Sequence, residues 1–295
     1  MSKIKIITDS GSDITWETAQ KLGIRMLPIS FTFDGETYYR EGIDMQKEEF
    51  YEKLSQKDAP VPKTAQVTPI QFIDAYNEEY DNGFDTLIVV TISSKGSGMY
   101  QNAVMSAQEV MDERGGEIIV VDTMGYSCLY GGAVIHAAKM IAEGKEKEEI
   151  VSYLQDATQS MKAYFLVDDL LHLKKGGRIN SATLVIANML DIKPVLAIKD
   201  GLVVQDGMLR GSKRLMKKLV NKARTDGYDL SGKSVYVVNS ASPDNAKELA
   251  EELTQAFSDI KFIELRLGSV IGCHGGPGLT GFVFSEKYNF DDYEG

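Results

Sequence analysis

Two serines and two glycines follow an apolar segment at residues 94–98, and this combination is suited to binding an anion. The preceding residues 85–91 are typical of a buried strand, and a helical pattern follows the glycines. Gly96 and Gly98 allow a sharp turn, so that the hydroxyls of Ser94 and Ser97 lie near the free amides of the helix. A structural role as helix caps is the alternative, but the flanking glycines favour a site for phosphate or carboxylate.

Two further polar side chains are candidates for the same site. Thr64 follows Pro60 and Pro62, which stiffen the chain and predict an extended loop, so its hydroxyl is a candidate third donor. His274 lies in the glycine-rich segment 271–278, for which we predict an ordered loop. Taken alone, a loop threonine is usually a cap and a histidine is usually structural, so only their combination indicates a site.

Basic residues form two further features in the second half of the chain. Arg178 follows a pair of glycines and is suited to binding an anion in bidentate fashion. Four more basic residues recur at intervals of four and predict a positive stripe on one helix face: Arg210, Arg214, Lys218 and Lys222. The stripe would guide an acidic partner or anionic lipid, and a simple solvated helix face is the alternative.

Short apolar runs alternate with helical patterns, which predicts a largely parallel sheet in the first half of the chain. We predict strands over residues 4–7, 25–33, 84–91, 117–122 and 162–167. Asp-Gly pairs at 34–35 and 200–201 predict two-residue hairpin turns. Helices over 213–224 and 244–257, with strands over 234–238 and 261–267, predict a mixed sheet in the second half.

These elements place the sequence in the α/β class. Its 295 residues exceed the usual size of one hydrophobic core, so we predict two domains. The first, residues 1–165, is an N-terminal three-layer domain with a mostly parallel sheet. The second, residues 166–295, is a C-terminal α/β domain with a mixed sheet.

Composition argues against several classes of function. The chain carries 43 acidic residues against 32 Lys and Arg, a net charge of -11 that opposes binding to nucleic acid. Cys128 and Cys273 fit no ligand spacing, so a reducing, cytoplasmic location is expected. No apolar segment approaches the roughly 20 residues that span a bilayer, which limits lipid contact to single molecules or a membrane surface.

Several catalytic motifs are absent from the sequence. It contains no H-E-x-x-H, no C-x-x-C pair, no Walker-type phosphate loop and no G-x-S-x-G elbow. Of the three histidines, His136 and His172 lie in apolar surroundings and are interpreted as structural. We therefore expect neither a metal nor a cofactor.

The ordered set of motifs resembles the DegV family over nearly the whole chain. The motifs are Thr-Asp-Ser at 8, Lys-Thr-x-Gln at 63, Ser-Ser-x-x-Ser-Gly-x-Tyr-Gln at 93, Lys-x-Gly-Gly-Arg-Ile at 174, Lys-Pro at 193 and Gly-x-His-x-Gly-Pro-Gly at 272. This resemblance implies a DegV-like fold and a bacterial fatty-acid-binding protein. Some members are the lipid-carrying subunit of a fatty acid kinase.

The resemblance also implies roles for single residues. Thr64 and Ser97, with Ser94 close by, match the hydroxyls that bind the fatty acid carboxylate, and His274 matches the histidine near the head group. Arg178 and Arg210 match residues associated with docking of the kinase. Two positions depart from the family pattern. Ala65 lacks a hydroxyl, and Met99, where the family usually has threonine, is expected to alter the pocket wall.

The function that we expect is therefore that of a non-catalytic carrier. It would shield a long-chain fatty acid in an apolar tunnel, present the carboxylate to a separate ATP-dependent fatty acid kinase, and make transient contact with the membrane surface. One alternative is an enzyme for a small phosphorylated or carbonyl substrate that uses His274 as acid, base or nucleophile. Another is a fatty acid sensor that acts without a kinase.

Overall fold

The structure, a computed structural model, describes residues 3–179, 192–211 and 213–290. Its strands are β1 (Ile4–Asp9), β2 (Arg25–Leu27), β3 (Ser30–Thr32), β4 (Tyr39–Arg40), β5 (Lys63–Ala65), β6 (Thr86–Thr91), β7 (Glu117–Asp122), β8 (Met161–Leu166), β9 (Ile192–Lys199), β10 (Leu202–Arg210), β11 (Ser234–Asn239), β12 (Lys261–Arg266) and β13 (Thr280–Ser285). Its helices are α1 (Trp16–Lys21), α2 (Lys47–Leu54), α3 (Pro69–Asp81), α4 (Met99–Arg114), α5 (Cys128–Ala142), α6 (Lys147–Gln159), α7 (Leu171–Gly176), α8 (Leu215–Thr225), α9 (Pro243–Ala256) and α10 (Ser269–Gly275).

The first sheet is parallel, with the strand order β2-β1-β6-β7. Strand β6 is buried along its whole length, as its run of apolar and β-branched residues predicts. Helices α3 and α4 pack against each other, and so do α5 and α6. Strand β2 lies on one side of β1 and the later strands β6 and β7 lie on the other. The carboxyl ends of strands at such a change of direction form a crevice suited to ligands.

The second sheet has six strands in the order β10-β9-β8-β13-β11-β12. Only β11 and β12 are parallel neighbours, so the sheet is mixed, as predicted. Strands β9 and β10 form the hairpin predicted at Asp200 and Gly201, where Leu202 pairs with Lys199. Both turn residues have positive φ angles, 50° and 74°, as this turn type requires.

The strand predicted over residues 25–33 is two strands in different sheets. Pro28 follows β2, and β3 lies instead in a small sheet of order β4-β3-β5. The predicted two-residue turn at 34–35 is also wrong, because Phe31 pairs with Tyr39 and the connection is longer. The Oδ1 atom of Asp34 accepts the amides of Glu36 and Thr37, both at 2.8 Å, and this closes a wider loop.

The segment around His274, predicted to be an ordered loop, is helical: His274 lies on α10. The predicted helical stripe is also wrong in part, because Arg210 lies in β10 and Arg214 precedes α8 with a left-handed backbone. Only Lys218 and Lys222 of the four lie on the helix.

The main hydrophobic core extends across both large sheets. It includes Ile7 and Val89 of the first sheet together with Val238 and Val283 of the second. The predicted boundary between residues 165 and 166 falls inside β8, a strand that pairs only with β9 and β13 of the second sheet. The division of the chain into two domains at this position stays a prediction. No helix within residues 3–179, 192–211 and 213–290 is long and apolar enough to cross a membrane.

Candidate functional site

An apolar cavity of about 460 Å³ lies against one face of the six-stranded sheet. Its volume falls in the range of about 300–1,000 Å³ that is usual for ligand sites. Neighbouring strands lie about 4.8 Å apart, so a cavity that crosses five strands extends about 19 Å. Five adjacent strands, β10 to β11, contribute to its lining, with Val203, Ile198, Ala163, Val283 and Val238 as one residue from each.

The opposite wall of the cavity comes from other parts of the chain. Ile92 follows β6, Leu129 lies at the start of α5, and Val270 and Ile271 lie on α10. Because both walls are apolar for most of their length, the cavity is suited to a hydrocarbon chain rather than to a sugar or a nucleotide.

Polar side chains gather at one part of the cavity lining. Thr64 on β5, Ser97 before α4 and His274 on α10 all line it. The Oγ1 atom of Thr64 lies 2.9 Å from Nε2 of His274, and Oγ of Ser97 lies 3.5 Å from Oε1 of Gln66. The structure therefore brings together three of the predicted site residues, from segments more than 30 positions apart in sequence.

The protonation of His274 follows from its surroundings. Burial, followed by the charges of Arg178 and His172, lowers its pKa from 6.5 to about 4. Its Nδ1 is buried without a hydrogen-bond partner in the described part of the chain. A proton there would be an unsatisfied buried donor, so we assign the proton to Nε2, which donates to Thr64. The hydroxyl hydrogen of Thr64 is then available to a ligand.

Ser94 does not join this group. Its amide donates to Oδ1 of Asp122, and its hydroxyl points to the sulfur of Met124 at 3.9 Å rather than to the cavity. Met99, expected to change the pocket wall, is buried in the core instead, whereas Ala65 does line the cavity.

The two arginines predicted to dock a partner occupy different environments. Arg178 lines the cavity, and its Nε donates to the carbonyl of Gly96 at 2.9 Å. Arg210 lies at the exposed end of β10, and its own carbonyl oxygen accepts a hydrogen bond from Nζ of Lys218. The docking role of both residues stays a prediction.

A group of buried acids that the sequence did not predict as functional holds helix α10 in place. Oδ1 of Asp13 accepts the amide of Gly268 at 3.0 Å, and Oε1 of Glu41 accepts the amide of Val270 at 2.8 Å. Asp13 lies three residues after the Thr-Asp-Ser motif at 8–10, but nothing in the sequence around Glu41 indicates this contact. These carboxylates fix the helix that carries His274.

Glu41 predicts a pH dependence of stability. Burial, followed by the charge of Asp13, raises its pKa from 4.5 to about 8, and its Oε2 has no partner among the described residues. The folded state therefore retains a proton that the unfolded chain releases above pH 4.5, so stability is lost as the pH rises from 4.5 to about 8. We expect Glu41→Gln, which retains the acceptor for Val270, to flatten the fall in melting temperature between pH 5 and 8.

The matched control for this prediction is Glu48→Gln, since Glu48 is 69% exposed and its one ion pair within the described ranges is with Arg266. Thermal unfolding at pH 5, 6.5 and 8 gives the comparison. If the melting temperature fell equally with pH in the wild type and in Glu41→Gln, Glu41 would be ionised in the folded state across this range, which would contradict the prediction.

The fold and cavity together define a class: α/β proteins with two large sheets and an apolar cavity that has hydroxyl and imidazole groups in its lining. A family model described as "Uncharacterised protein, DegV family" matches residues 3–287. A DegV domain-containing protein of Caldanaerobacter subterraneus is 32% identical over 287 residues, covering 97% of this chain and 100% of the relative. The chain belongs to the DegV family.

Solved structures of the family have the same fold. A DegV family protein of Thermus thermophilus, whose structure is described as showing fatty acid binding, has a TM-score of 0.83 and 30% identity, covering 96% of this chain and 99% of its own. DegV of Bacillus subtilis, described as a fatty acid binding protein, has a TM-score of 0.82 and 28% identity, covering 97% and 99%. A stearic acid-binding protein of Eubacterium ventriosum has a TM-score of 0.81 and 27% identity, again covering 97% and 99%. These similarities confirm the predicted fold class.

Proposed function

We propose that this protein binds a long-chain fatty acid, with the acyl chain in the apolar cavity and the carboxylate at Thr64, Ser97 and His274. The observation that carries the proposal is the cavity itself, which crosses five strands and has these three donors in its lining. The family relatives described as fatty acid binding proteins support it.

The two ends of the ligand contribute unequally to binding. Burial of 12 to 16 methylenes at about 0.8 kcal/mol each contributes about 10–13 kcal/mol before ordering costs. A neutral hydrogen bond contributes about 1 kcal/mol. The cavity therefore retains the acid, and the hydroxyls orient its head group.

The head group is bound through a short relay of hydrogen bonds. Nε2 of His274 donates to the hydroxyl oxygen of Thr64, and that hydroxyl donates to the carboxylate. Ser97 supplies a second donor from the turn before α4. A neutral His274 suits this task, because it orients Thr64 without titrating between pH 5 and 9.

The carboxylate is placed for a partner enzyme. Thr64 and Ser97 are half-buried, so the head group lies close to solvent while the tail is enclosed. In this proposal a separate ATP-dependent fatty acid kinase transfers a phosphoryl group to the carboxylate and forms an acyl phosphate. The present chain acts as the lipid-carrying subunit and supplies no catalytic group.

Native mass spectrometry of protein purified from cells tests the proposal. We expect the protein to carry an additional mass equal to that of a long-chain fatty acid standard. Extraction with organic solvent is expected to remove this mass. A protein that purifies without lipid and hydrolyses small phosphoesters would instead support an enzyme that uses His274. The low pKa of that imidazole argues against the enzyme, because a general base works best with a pKa near the operating pH.

Docking of the kinase gives a separate prediction at Arg210. Its side chain is exposed and lies away from the cavity lining, so Arg210→Glu is expected to leave fatty acid affinity unchanged within about twofold. Phosphorylation of the bound acid by the kinase is expected to fall by about tenfold or more, because charge reversal opposes an acidic partner. Lys247→Glu on α9 changes the net charge equally and is the control; an equal loss in both variants would refute the docking role.

A further inference from the structure

Arg178 connects the two sides of the polar group. Its Nε donates to the carbonyl of Gly96 at 2.9 Å, and its Nη1 donates to the carbonyl of Gly176. Gly96 directly precedes Ser97 in the turn after β6, whereas Gly176 ends helix α7. One guanidinium thus joins the segment that carries one donor to the segment that lies against His274.

Both glycines are held tightly by their neighbours. A β-carbon at Gly96 would overlap the hydroxyl of Tyr126, and one at Gly176 would overlap Nδ1 of His274. The hydroxyl of Tyr126 in turn donates to the carbonyl of Gly201 in the β9–β10 turn, at 2.7 Å. The two carbonyls that Arg178 joins are therefore parts of fixed backbone rather than of loose loops.

The planar guanidinium is required for this arrangement. Its N–H groups point in fixed directions, so two carbonyls on opposite sides are held at a set distance from each other. A lysine at the same position would retain the positive charge, but its single ammonium group has no comparable rigid geometry. Charge and bridging geometry are therefore separable by substitution.

We propose that Arg178 is a positioning residue of the fatty acid site: it joins the Gly96 and Gly176 segments and thereby fixes Ser97 relative to the Thr64–His274 pair. This inference rests on the proposed function, and it gives Arg178 a role inside the fatty acid site rather than on the exposed surface. If an acidic partner bound the guanidinium of Arg178, both of these hydrogen bonds would break. Arg178 could therefore either bind the partner or hold the head-group site together, but not both at once.

The test compares Arg178→Gln, Arg178→Lys and the exposed control Lys247→Gln on α9. The rate at which bound hexadecanoic acid transfers to phosphatidylcholine vesicles is measured by stopped flow. Loss of two hydrogen bonds to a charged group predicts a release rate about tenfold or more faster in both Arg178 variants. Lys247→Gln is expected to stay within about twofold of the wild type.

A second measurement separates positioning from general loosening of the fold. The titration of His274 is followed by NMR, with His136 and His172 as references. The charged and titratable groups that act on His274 are Arg178 and His172. Arg178→Gln is expected to raise the pKa of His274 from about 4, and Arg178→Lys is expected to keep it lower than the glutamine variant does.

The outcomes distinguish this inference from the proposed function. If the wild type binds no fatty acid, the proposed function fails. If it binds the acid and both Arg178 variants release it at the wild-type rate, the positioning role is overturned and the proposed function stands. Faster release in Arg178→Gln with wild-type release in Arg178→Lys would also overturn the role, because charge alone would then account for the effect.

Discussion

Replacement of Ala163 by phenylalanine is expected to abolish the retention of long-chain fatty acids. Ala163 lies on β8, at the middle of the five strands that line the cavity, and its side chain faces the cavity. A phenyl ring there would block the path between β9 and β13. Exclusion of only four methylenes at about 0.8 kcal/mol each weakens binding by more than about 100-fold.

The matched control is Lys162→Phe. Lys162 is the neighbour of Ala163 on the opposite face of β8, and its only ion pair in the described residues is a half-exposed one with Glu286 at 3.0 Å. Calorimetry with hexadecanoic acid gives the two affinities, and thermal unfolding verifies that both variants fold. Wild-type affinity in Ala163→Phe would show that the acyl chain lies elsewhere.

Substitution of Thr64 by valine is expected to produce the second largest effect. Valine has the same shape and suits strand β5, but it lacks the hydroxyl that accepts from His274 and donates to the carboxylate. The imidazole N–H loses its partner in a buried site, and the head group loses a donor. Together these losses predict binding about 10- to 100-fold weaker.

The methyl ester of the same fatty acid is the comparison ligand for Thr64→Val, because it has no carboxylate. We expect the variant to lose affinity for the free acid and much less for the ester. Equal losses for acid and ester would mean that Thr64 shapes the cavity without binding the head group. Ser97→Ala is expected to give a smaller loss, since it leaves the hydrogen bond between Thr64 and the buried imidazole of His274 intact.

Local sequence patterns were sufficient to predict those elements whose ends depend on residues within the element itself. The Asp200-Gly201 turn was predicted because both positions adopt positive φ angles that the flanking strands require. Helix α3 likewise begins at Pro69, where Thr68 and Gln71 form a capping box. At Asp34 the same reasoning was wrong, because its side chain binds the following amides and opens the turn.

Long-range contacts explain what the sequence did not predict. Helix α10 contains two glycines, yet the carboxylates of Asp13 and Glu41, each more than 200 residues away, accept the amides at its start. This is why His274 lies on a helix and not on a loop. Ser94 and Ser97 look equivalent in sequence, but the bond from the Ser94 amide to Asp122 fixes that part of the turn away from the cavity.

The cavity is also a long-range feature. Its lining comes from strands that pair across more than 100 residues of sequence, such as β8 with β13, so no local pattern marks it. Thr64, Ser97 and His274 were predictable as a set because each lies in a motif, whereas the lining of the cavity was not. The shape of the cavity is therefore a property of the assembled sheet.

A crystal structure of the protein with bound hexadecanoic acid tests the central claim most directly. The account predicts a carboxylate oxygen within hydrogen-bond distance of Oγ1 of Thr64, with the acyl chain enclosed between the six-stranded sheet and helix α10. An acyl chain outside this cavity, or a carboxylate remote from Thr64, Ser97 and His274, would contradict it.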